Sequence, residues 1–205
     1  MKHIDENQLE TDAQYRYEYL CEFMGFGPDD VAAIHATAGL LAPKIPALVE
    51  RTYDRLLAYD ATARHFVPRQ HGYGGEVPQS VSDLSQSHAQ IKFRKEHLLR
   101  YLMQLVGNAY NARMVMYLDT VGKMHTPKAG NKKIDVPLVQ MNALMGLLSD
   151  ALLETLTQLP LDPDRKVRAI RAFTKLMWVQ NDFITRHYQA PPARAAAGES
   201  VTPDE

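Results

Sequence analysis

Apolar residues recur at helical spacing along almost all of this 205-residue chain, and that period restricts the possible folds more than any other feature. One such stripe consists of Val31, Ile34, Ala38 and Leu41. Strand-like alternation is hard to find, and no Asn-Gly or Asp-Gly turn joins two apolar runs. The sequence therefore predicts a single all-α domain of about seven helices, in which the last two helices are long.

Changes in composition along the chain predict where the folded domain begins and ends. We expect a flexible N-terminus over residues 1–13 and one folded domain over residues 14–189. Residues 190–205 are rich in Ala, Pro, Ser and acidic residues, which is typical of a disordered tail. Within the domain, residues 67–86 are rich in glycine and proline, and we interpret them as a surface loop rather than a lid.

Charge and cysteine content exclude several classes of protein. The 23 Lys and Arg residues are balanced by 24 Asp and Glu residues, so no basic excess indicates nucleic-acid binding. Cys21 is the only cysteine, which rules out an intrachain disulfide and a cysteine-based zinc site. The polar N-terminus does not resemble a signal peptide, and we expect no membrane span. These features favour a cytoplasmic protein.

A histidine near the end of one predicted helix is the main candidate for chemistry. Its usual role at such a position would be a half-buried side chain bonded to a backbone carbonyl. One histidine is too few ligands for a free zinc or iron ion, but it is enough for haem iron, because the porphyrin supplies four nitrogens. The apolar stripe that ends in this histidine is Tyr110, Met114, Tyr117 or Leu118, Val121 and His125.

The sequence around this histidine resembles one known family. Val121-Gly122-Lys123-Met124-His125 is similar to the end of the F helix in protoglobins and globin-coupled sensor domains, where an Ile/Val-Gly-x-x-His motif carries the proximal haem ligand. The resemblance covers residues 19–188. Its other segments are Val49-Glu50-Arg51-Thr52-Tyr53 for the B helix, residues 61–66 for the C helix, Val136-Pro137 for the start of the G helix, and Ala172-Phe173-Thr174-Lys175 with Gln180 for the H helix.

This resemblance implies a protoglobin-like globin fold with an extra N-terminal helix and long G and H helices. It also implies haem b as the cofactor, His125 as the metal ligand and reversible binding of O2, CO or NO, as in a gas sensor or gas-binding protein. Tyr53 would donate a hydrogen bond to the bound gas, although a core tyrosine bonded to the backbone is the alternative. The expected haem contacts are Tyr53, Phe66, Leu98, Leu102, Met114, Tyr117, Val121, His125, Leu144 and Leu147.

Four further polar side chains are close in sequence to these positions. Thr52 stands where relatives often carry an aromatic residue, and its smaller size predicts a more open distal pocket. His97 is adjacent to Leu98 and would lie either near a haem propionate or in solvent, and we favour solvent. We expect His65 and His71 to be exposed.

Other functions are compatible with the same residues. The site would also serve a haem enzyme, such as an NO dioxygenase or a peroxidase-like protein, but no fused reductase segment supports an enzyme and we assign no activity. A haem-free globin-fold signalling module and a helical interaction protein are the remaining alternatives. Because the chain ends about one helix after the G segment, we expect sensing to act through an unidentified signalling partner.

The last two helices also predict a homodimer. Their apolar residues spread around more than one face, which is wider than one chain needs to cover its own core. Contacts with haem and with the N-terminal helices of the same chain are the competing explanation. The residues concerned are Leu144, Met145, Leu147, Leu148, Ala151, Leu152, Leu153 and Leu156, followed by Val167, Ile170, Phe173, Met177, Trp178 and Ile184.

Overall fold

The computed structural model describes residues 1–189, and within that range it contains helices and connecting segments but no strand. The predicted all-α fold is therefore confirmed, while the tail predicted for residues 190–205 lies outside the described residues. The α-helices are α1 (Glu6–Thr11), α2 (Ala13–Met24), α3 (Pro28–Leu41), α4 (Ile45–Leu57), α5 (Asp60–Ala63), α6 (Ala89–Gly107), α7 (Ala112–Lys123), α8 (Leu138–Gln158) and α9 (Pro163–Thr185).

Short 3-10 turns extend or join several of these helices. One turn links α3 to α4, which confirms the helix junction that the prolines there predict. A second turn continues α5, and another begins at Pro127, shortly after α7 ends. The turns are Ala42–Lys44, Arg64–Phe66, Val81–Asp83, Pro127–Ala129 and Arg186–Tyr188.

Side-chain caps fix where the helices begin. The Asn111 carboxamide oxygen accepts hydrogen bonds from the N–H groups of Arg113 and Met114, so α7 begins directly after Asn111. The Asp162 carboxylate accepts from the N–H of Arg165 at the start of α9. These caps set where α7 and α9 start and therefore which of their faces meet.

Helix α1 lies inside the segment for which the sequence predicts flexibility. Few apolar residues occur there, and none of the helix is buried, so periodicity gives no signal for it. Instead it is held by distant side chains. The Arg16 guanidinium donates to the Leu9 carbonyl at 3.1 Å, and the Arg186 guanidinium donates to the Glu10 carbonyl at 2.9 Å.

Helix α9 is the centre of the packing. It contacts α3, α7 and α8, and it buries Phe173 and Phe183 almost completely. Burial of each aromatic side chain contributes roughly 1.5–3 kcal/mol to folding. A second apolar cluster lies between α8 and α9, and α4 packs across α6 on the other side. Met141, Met145, Leu148, Met177 and Ile184 form the second cluster.

The stretch Pro28–Leu57 is the one part of residues 1–189 that is long and apolar enough to cross a membrane by length and composition alone. It comprises α3, the 3-10 turn and α4. Ile34, Leu41 and Val49 from this stretch belong to the main core, and α3 packs against α9 and α6. Several of its large apolar side chains therefore pack within the domain.

Candidate functional site

One large cavity, of about 410 Å³, lies among α4, α6, α7 and α8 and is closed on one side by residues 62–71. This volume is typical of a pocket for a small molecule or cofactor. The surface of the lining is mainly apolar. Residues that line it are Tyr53, Leu56, Thr62, His65, Phe66, Gln70, His71, Arg94, His97, Leu98, Arg100, Tyr101, Gln104, Tyr117, Val121, Met124, His125, Ile134, Val136, Gln140, Met141 and Leu144.

His125 lies just beyond the last turn of α7, where Thr126 and Pro127 end the helix. Its Nδ1 atom is 2.9 Å from the Val121 carbonyl oxygen. A carbonyl oxygen only accepts hydrogen bonds, so Nδ1 carries the proton and Nε2 of the neutral ring has a free lone pair. The backbone is held as well, because the Val136 N–H donates to the His125 carbonyl at 3.0 Å. The ring is therefore oriented by the helix end itself.

The surroundings of His125 favour its neutral form. Burial lowers the pKa of His125 to about 4, and the nearby positive charge of Arg94 acts in the same direction. The His125 side chain is only half-buried, because one side of the ring borders the cavity. No hydrogen bond to Nε2 forms among residues 1–189. A neutral imidazole with one nitrogen anchored and the other free is the form that binds a metal.

Gly122 allows α7 to approach α9 closely enough to set this position. A Cβ atom at residue 122 would lie 2.2 Å from the Phe183 carbonyl oxygen, which is far inside contact distance. Because that oxygen belongs to helix backbone, no side-chain movement would relieve the clash. The glycine of the Val-Gly-x-x-His sequence therefore has a packing role, three residues before the histidine.

Tyr53 borders the cavity from α4 and is only 3% exposed. Its ring packs against Phe66, with 5.6 Å between ring centres. Tyr110 and Tyr188 donate their hydroxyls to backbone carbonyls, but no backbone carbonyl of residues 1–189 accepts the Tyr53 hydroxyl. Burial raises the pKa of Tyr53, while Arg94 opposes that shift, so the hydroxyl keeps its proton at neutral pH. It is available as a donor inside the cavity.

The polar part of the lining carries positive and neutral groups only. It contains Arg94, Arg100 and four histidines, and no Asp or Glu is among the cavity-lining residues. The guanidinium Nε of Arg94 and the ring Nε2 of His65 are shielded from solvent and have no hydrogen-bond partner among residues 1–189. Burial lowers the pKa of both His65 and His97. The cavity thus suits an occupant with negative charge.

Seven of the ten predicted contacts line the cavity, and three do not. Leu102 and Met114 are buried in the main core instead, and Met114 lies about two turns before Val121 on the same face of α7. Leu147 is half-buried on α8 but is not part of the lining. The residues that the structure brings together are Tyr53, Phe66, Leu98, Tyr117, Val121, His125 and Leu144.

The predictions for single polar residues have mixed outcomes. Thr52 is buried, donates its hydroxyl to the Leu48 carbonyl at 2.7 Å and does not border the cavity, so it does not open a distal pocket. His65 is half-buried on the cavity wall, so the prediction that it is exposed is wrong. His97 is also half-buried there rather than in solvent, with its ring 4.3 Å from that of Phe93. His71 is exposed at the edge of the cavity, as predicted.

The beginning of the glycine-rich connection is part of the cavity wall, which differs from the surface loop that its composition predicts. Gln90 on α6 is fully buried, and its side-chain amide donates to the carbonyls of Phe66 and Pro68 at 2.7 and 3.1 Å. Its carbonyl oxygen accepts from the backbone N–H of Gln70 at 3.1 Å. These bonds hold residues 66–70 against α6. The sequence pattern does not reveal this wall, because its contacts join residues about twenty positions apart.

Arg94 is a cavity residue that the sequence pattern does not single out. It lies one turn before Leu98 on the same face of α6, and the structure places both residues on the cavity wall. An arginine on a helix usually indicates a solvated face, and the sequence gives no sign that this one turns inward. Tyr101 on the same helix donates its hydroxyl to the Gln180 side chain at 2.6 Å and closes the far side.

Comparison with known proteins agrees with this architecture. The protoglobin family model matches residues 13–193. Among solved structures, the globin domain of the Geobacter sulfurreducens globin-coupled sensor superposes with a TM-score of 0.67 at 17% sequence identity, covering 84% of this chain and 97% of that domain. No curated protein sequence matches. The globin fold is therefore established, and the chain belongs to the protoglobin family.

Proposed function

We propose that this protein binds haem b in the cavity and uses it to bind O2, CO or NO reversibly. The observation that carries the proposal is His125, whose ring is neutral, anchored through Nδ1 and free at Nε2 on the wall of a cavity of about 410 Å³. Haem supplies an iron ion with four porphyrin nitrogens, and that iron binds diatomic gases.

The other residues of the cavity suit haem better than a bare metal ion. No group of three or more His, Cys, Asp or Glu side chains within residues 1–189 is arranged to hold a metal. A single histidine is sufficient only when the cofactor brings its own ligands. The apolar lining matches a porphyrin face, and a lining with arginines but no carboxylate suits a cofactor that carries two carboxylates.

The cofactor would be held without a covalent bond. The sequence contains no Cys-x-x-Cys-His attachment site, and Cys21 does not line the cavity. Val121 and Leu144 would contact the porphyrin faces, while Phe66 packs against Tyr53 on the cavity wall. His125 would provide the metal bond and the helix end would keep its ring oriented.

Tyr53 would adjust which gas is retained. Its hydroxyl is protonated and has no backbone acceptor among residues 1–189, so it can donate to a polar ligand in the cavity. A hydrogen bond to an acceptor with charge contributes about 1.5–3 kcal/mol. Bound O2 is more polar than bound CO, so this donor would favour O2.

A role in gas sensing is the biological function we infer. The superposed domain comes from a protein named as a globin-coupled sensor, and this chain shares its fold. We place the protein in the cytoplasm, where its single cysteine would stay reduced, and we expect it to pass its signal to a partner.

We further propose that two copies associate through α8 and α9. Most apolar residues of these helices are used within the chain, as the cluster of Met145, Leu148 and Met177 illustrates. On α9 the exceptions are Val167 and Trp178, since both are more than half exposed and lie about three turns apart on one face of the helix. This remaining apolar stripe is where the partner subunit would pack.

An absorption spectrum of the purified chain tests the proposal directly. We expect the protein to take up one equivalent of added haemin, with a sharp Soret band that shifts when the reduced protein is exposed to CO. Two results would contradict the proposal. One is no Soret shift on exposure to CO, and the other is haemin binding as weak and unsaturable as that of an unrelated helical protein. Either result would favour the haem-free signalling module or the interaction protein.

A further inference from the structure

Arg94 has a buried donor that no group of the described chain satisfies. Its Nε atom is shielded from solvent and lacks a hydrogen-bond partner among residues 1–189. The adjacent Lys95 forms an ion pair with Glu50 at 2.6 Å, whereas Arg94 forms none with any described carboxylate. A buried charged donor without an acceptor is costly. The arrangement therefore indicates an acceptor that enters the cavity from outside the chain.

Arg94 is half-buried on the cavity wall, with its Nε atom shielded from solvent. Its positive charge acts on Tyr53 from α4 and on His125 at the end of α7, favouring a lower pKa for both. Arg94, Tyr53 and His125 border the same cavity from α6, from α4 and from the end of α7. Arg100, the other arginine of the lining, is exposed, and its charge acts on Tyr117.

An anion in this position would meet donors and no opposing charge. The guanidinium N–H groups of Arg94 and the Tyr53 hydroxyl both border the space, and no cavity-lining residue is acidic. Arginine holds its charge at any physiological pH and offers several N–H groups in one plane. Hydrogen bonds of this kind are about twice as strong as those between neutral groups.

We propose that Arg94 binds a small inorganic anion, such as nitrite or fluoride, in the cavity beside Tyr53 and so determines the preference of the protein for anionic over neutral ligands. The inference rests on the proposed haem function, since the cofactor shares this space. A carboxylate of the cofactor has the same acceptor chemistry as a free anion, and the experiment separates these two sources.

The test uses the oxidised, haem-loaded protein titrated with sodium nitrite, sodium fluoride and imidazole, with Kd measured from the visible spectrum. Arg94→Leu should weaken nitrite and fluoride binding by at least about tenfold, the size expected for one lost charge-assisted hydrogen bond. Imidazole affinity should not fall, because imidazole is neutral. Arg94→Lys should lie between the two, and Lys92→Leu, at an exposed position of the same helix that does not line the cavity, serves as the matched control and should change neither.

Haem loss is measured for each variant by transfer to an excess of apomyoglobin. Faster haem loss from Arg94→Leu with unchanged anion Kd would assign Arg94 to a cofactor carboxylate and overturn the inference. Normal haem retention with unchanged anion Kd would overturn it too. A wild-type chain that takes up no haem would instead overturn the proposed function, and this inference with it.

Discussion

Gly122 and Phe183 lie in such close backbone contact that a single added carbon at residue 122 would be 2.2 Å from the Phe183 carbonyl oxygen. This contact joins α7 to α9, the helix around which most of the domain packs. His125 follows one turn later and takes its position from the end of α7. Haem binding and the packing of the proximal helix are thus expected to depend on one another.

Replacing Gly122 by alanine should lower the free energy of unfolding by about 1–3 kcal/mol or more, because α7 must move away from α9. It should also weaken haem retention, since His125 moves with α7. Chemical denaturation of the haem-free and haem-loaded protein measures both effects.

Gly146 provides the control for that experiment. It lies inside α8, and no atom is within 4 Å of the place that a Cβ atom would take, so Gly146→Ala should be neutral or stabilise by up to about 1 kcal/mol. Equal effects of the two alanine substitutions would contradict the packing role assigned to Gly122.

His125→Gly should abolish stable haem binding while the chain stays helical, because the variant removes the metal ligand and leaves the apolar cavity. Added imidazole should restore a Soret band, since it can occupy the vacated space and supply the missing nitrogen. His35→Ala is a suitable control, because His35 is exposed, bonds the Asn108 carbonyl and does not line the cavity.

Helical circular dichroism and haem content should be measured on the same samples. Full haem retention by His125→Gly without imidazole would show that another residue binds the iron. His65 and His97 would then be the next candidates, since both line the cavity.

Tyr53→Phe should accelerate O2 dissociation by roughly tenfold or more, because one hydrogen bond to a charged acceptor is lost. The CO dissociation rate should change less, since bound CO is a weaker acceptor. Stopped-flow measurement of both rates in the same variant makes each gas the control for the other. Identical O2 rates in the variant and the wild type would remove Tyr53 from the gas-binding role.

The helical period is enough to predict the fold class, because burial on one face imposes it on every core helix. It is not enough to show which part of an apolar stripe borders a cavity. Met114 and Val121 lie within about 20° of one another around α7 but about 10 Å apart along its axis, and only Val121 reaches the cavity. A single apolar stripe therefore indicates His125 correctly as a cavity residue and Met114 wrongly.

Features that depend on distant partners are beyond the reach of the sequence pattern. Gln70 joins the cavity wall only because the side chain of Gln90 accepts its N–H, and the two residues are far apart in sequence. Helix α1 likewise depends on Arg16 and Arg186 for its attachment. Neither relationship leaves a local signal, since each part alone resembles an ordinary polar loop.

The exposed apolar stripe on α9 predicts the site of a subunit contact. Trp178 is 63% exposed, which is unusual for the largest apolar side chain, and Val167 extends the same face. Trp178→Glu should convert a dimer to a monomer, because a carboxylate would be buried without a partner at the subunit contact. Phe23 on α2 is also strongly exposed, so Phe23→Glu is the matched control and should leave the mass unchanged. Light scattering across a dilution series distinguishes the outcomes. A wild-type mass near 23.2 kDa plus one haem at micromolar concentration would exclude this dimer, because the apolar stripe would then stay in solvent.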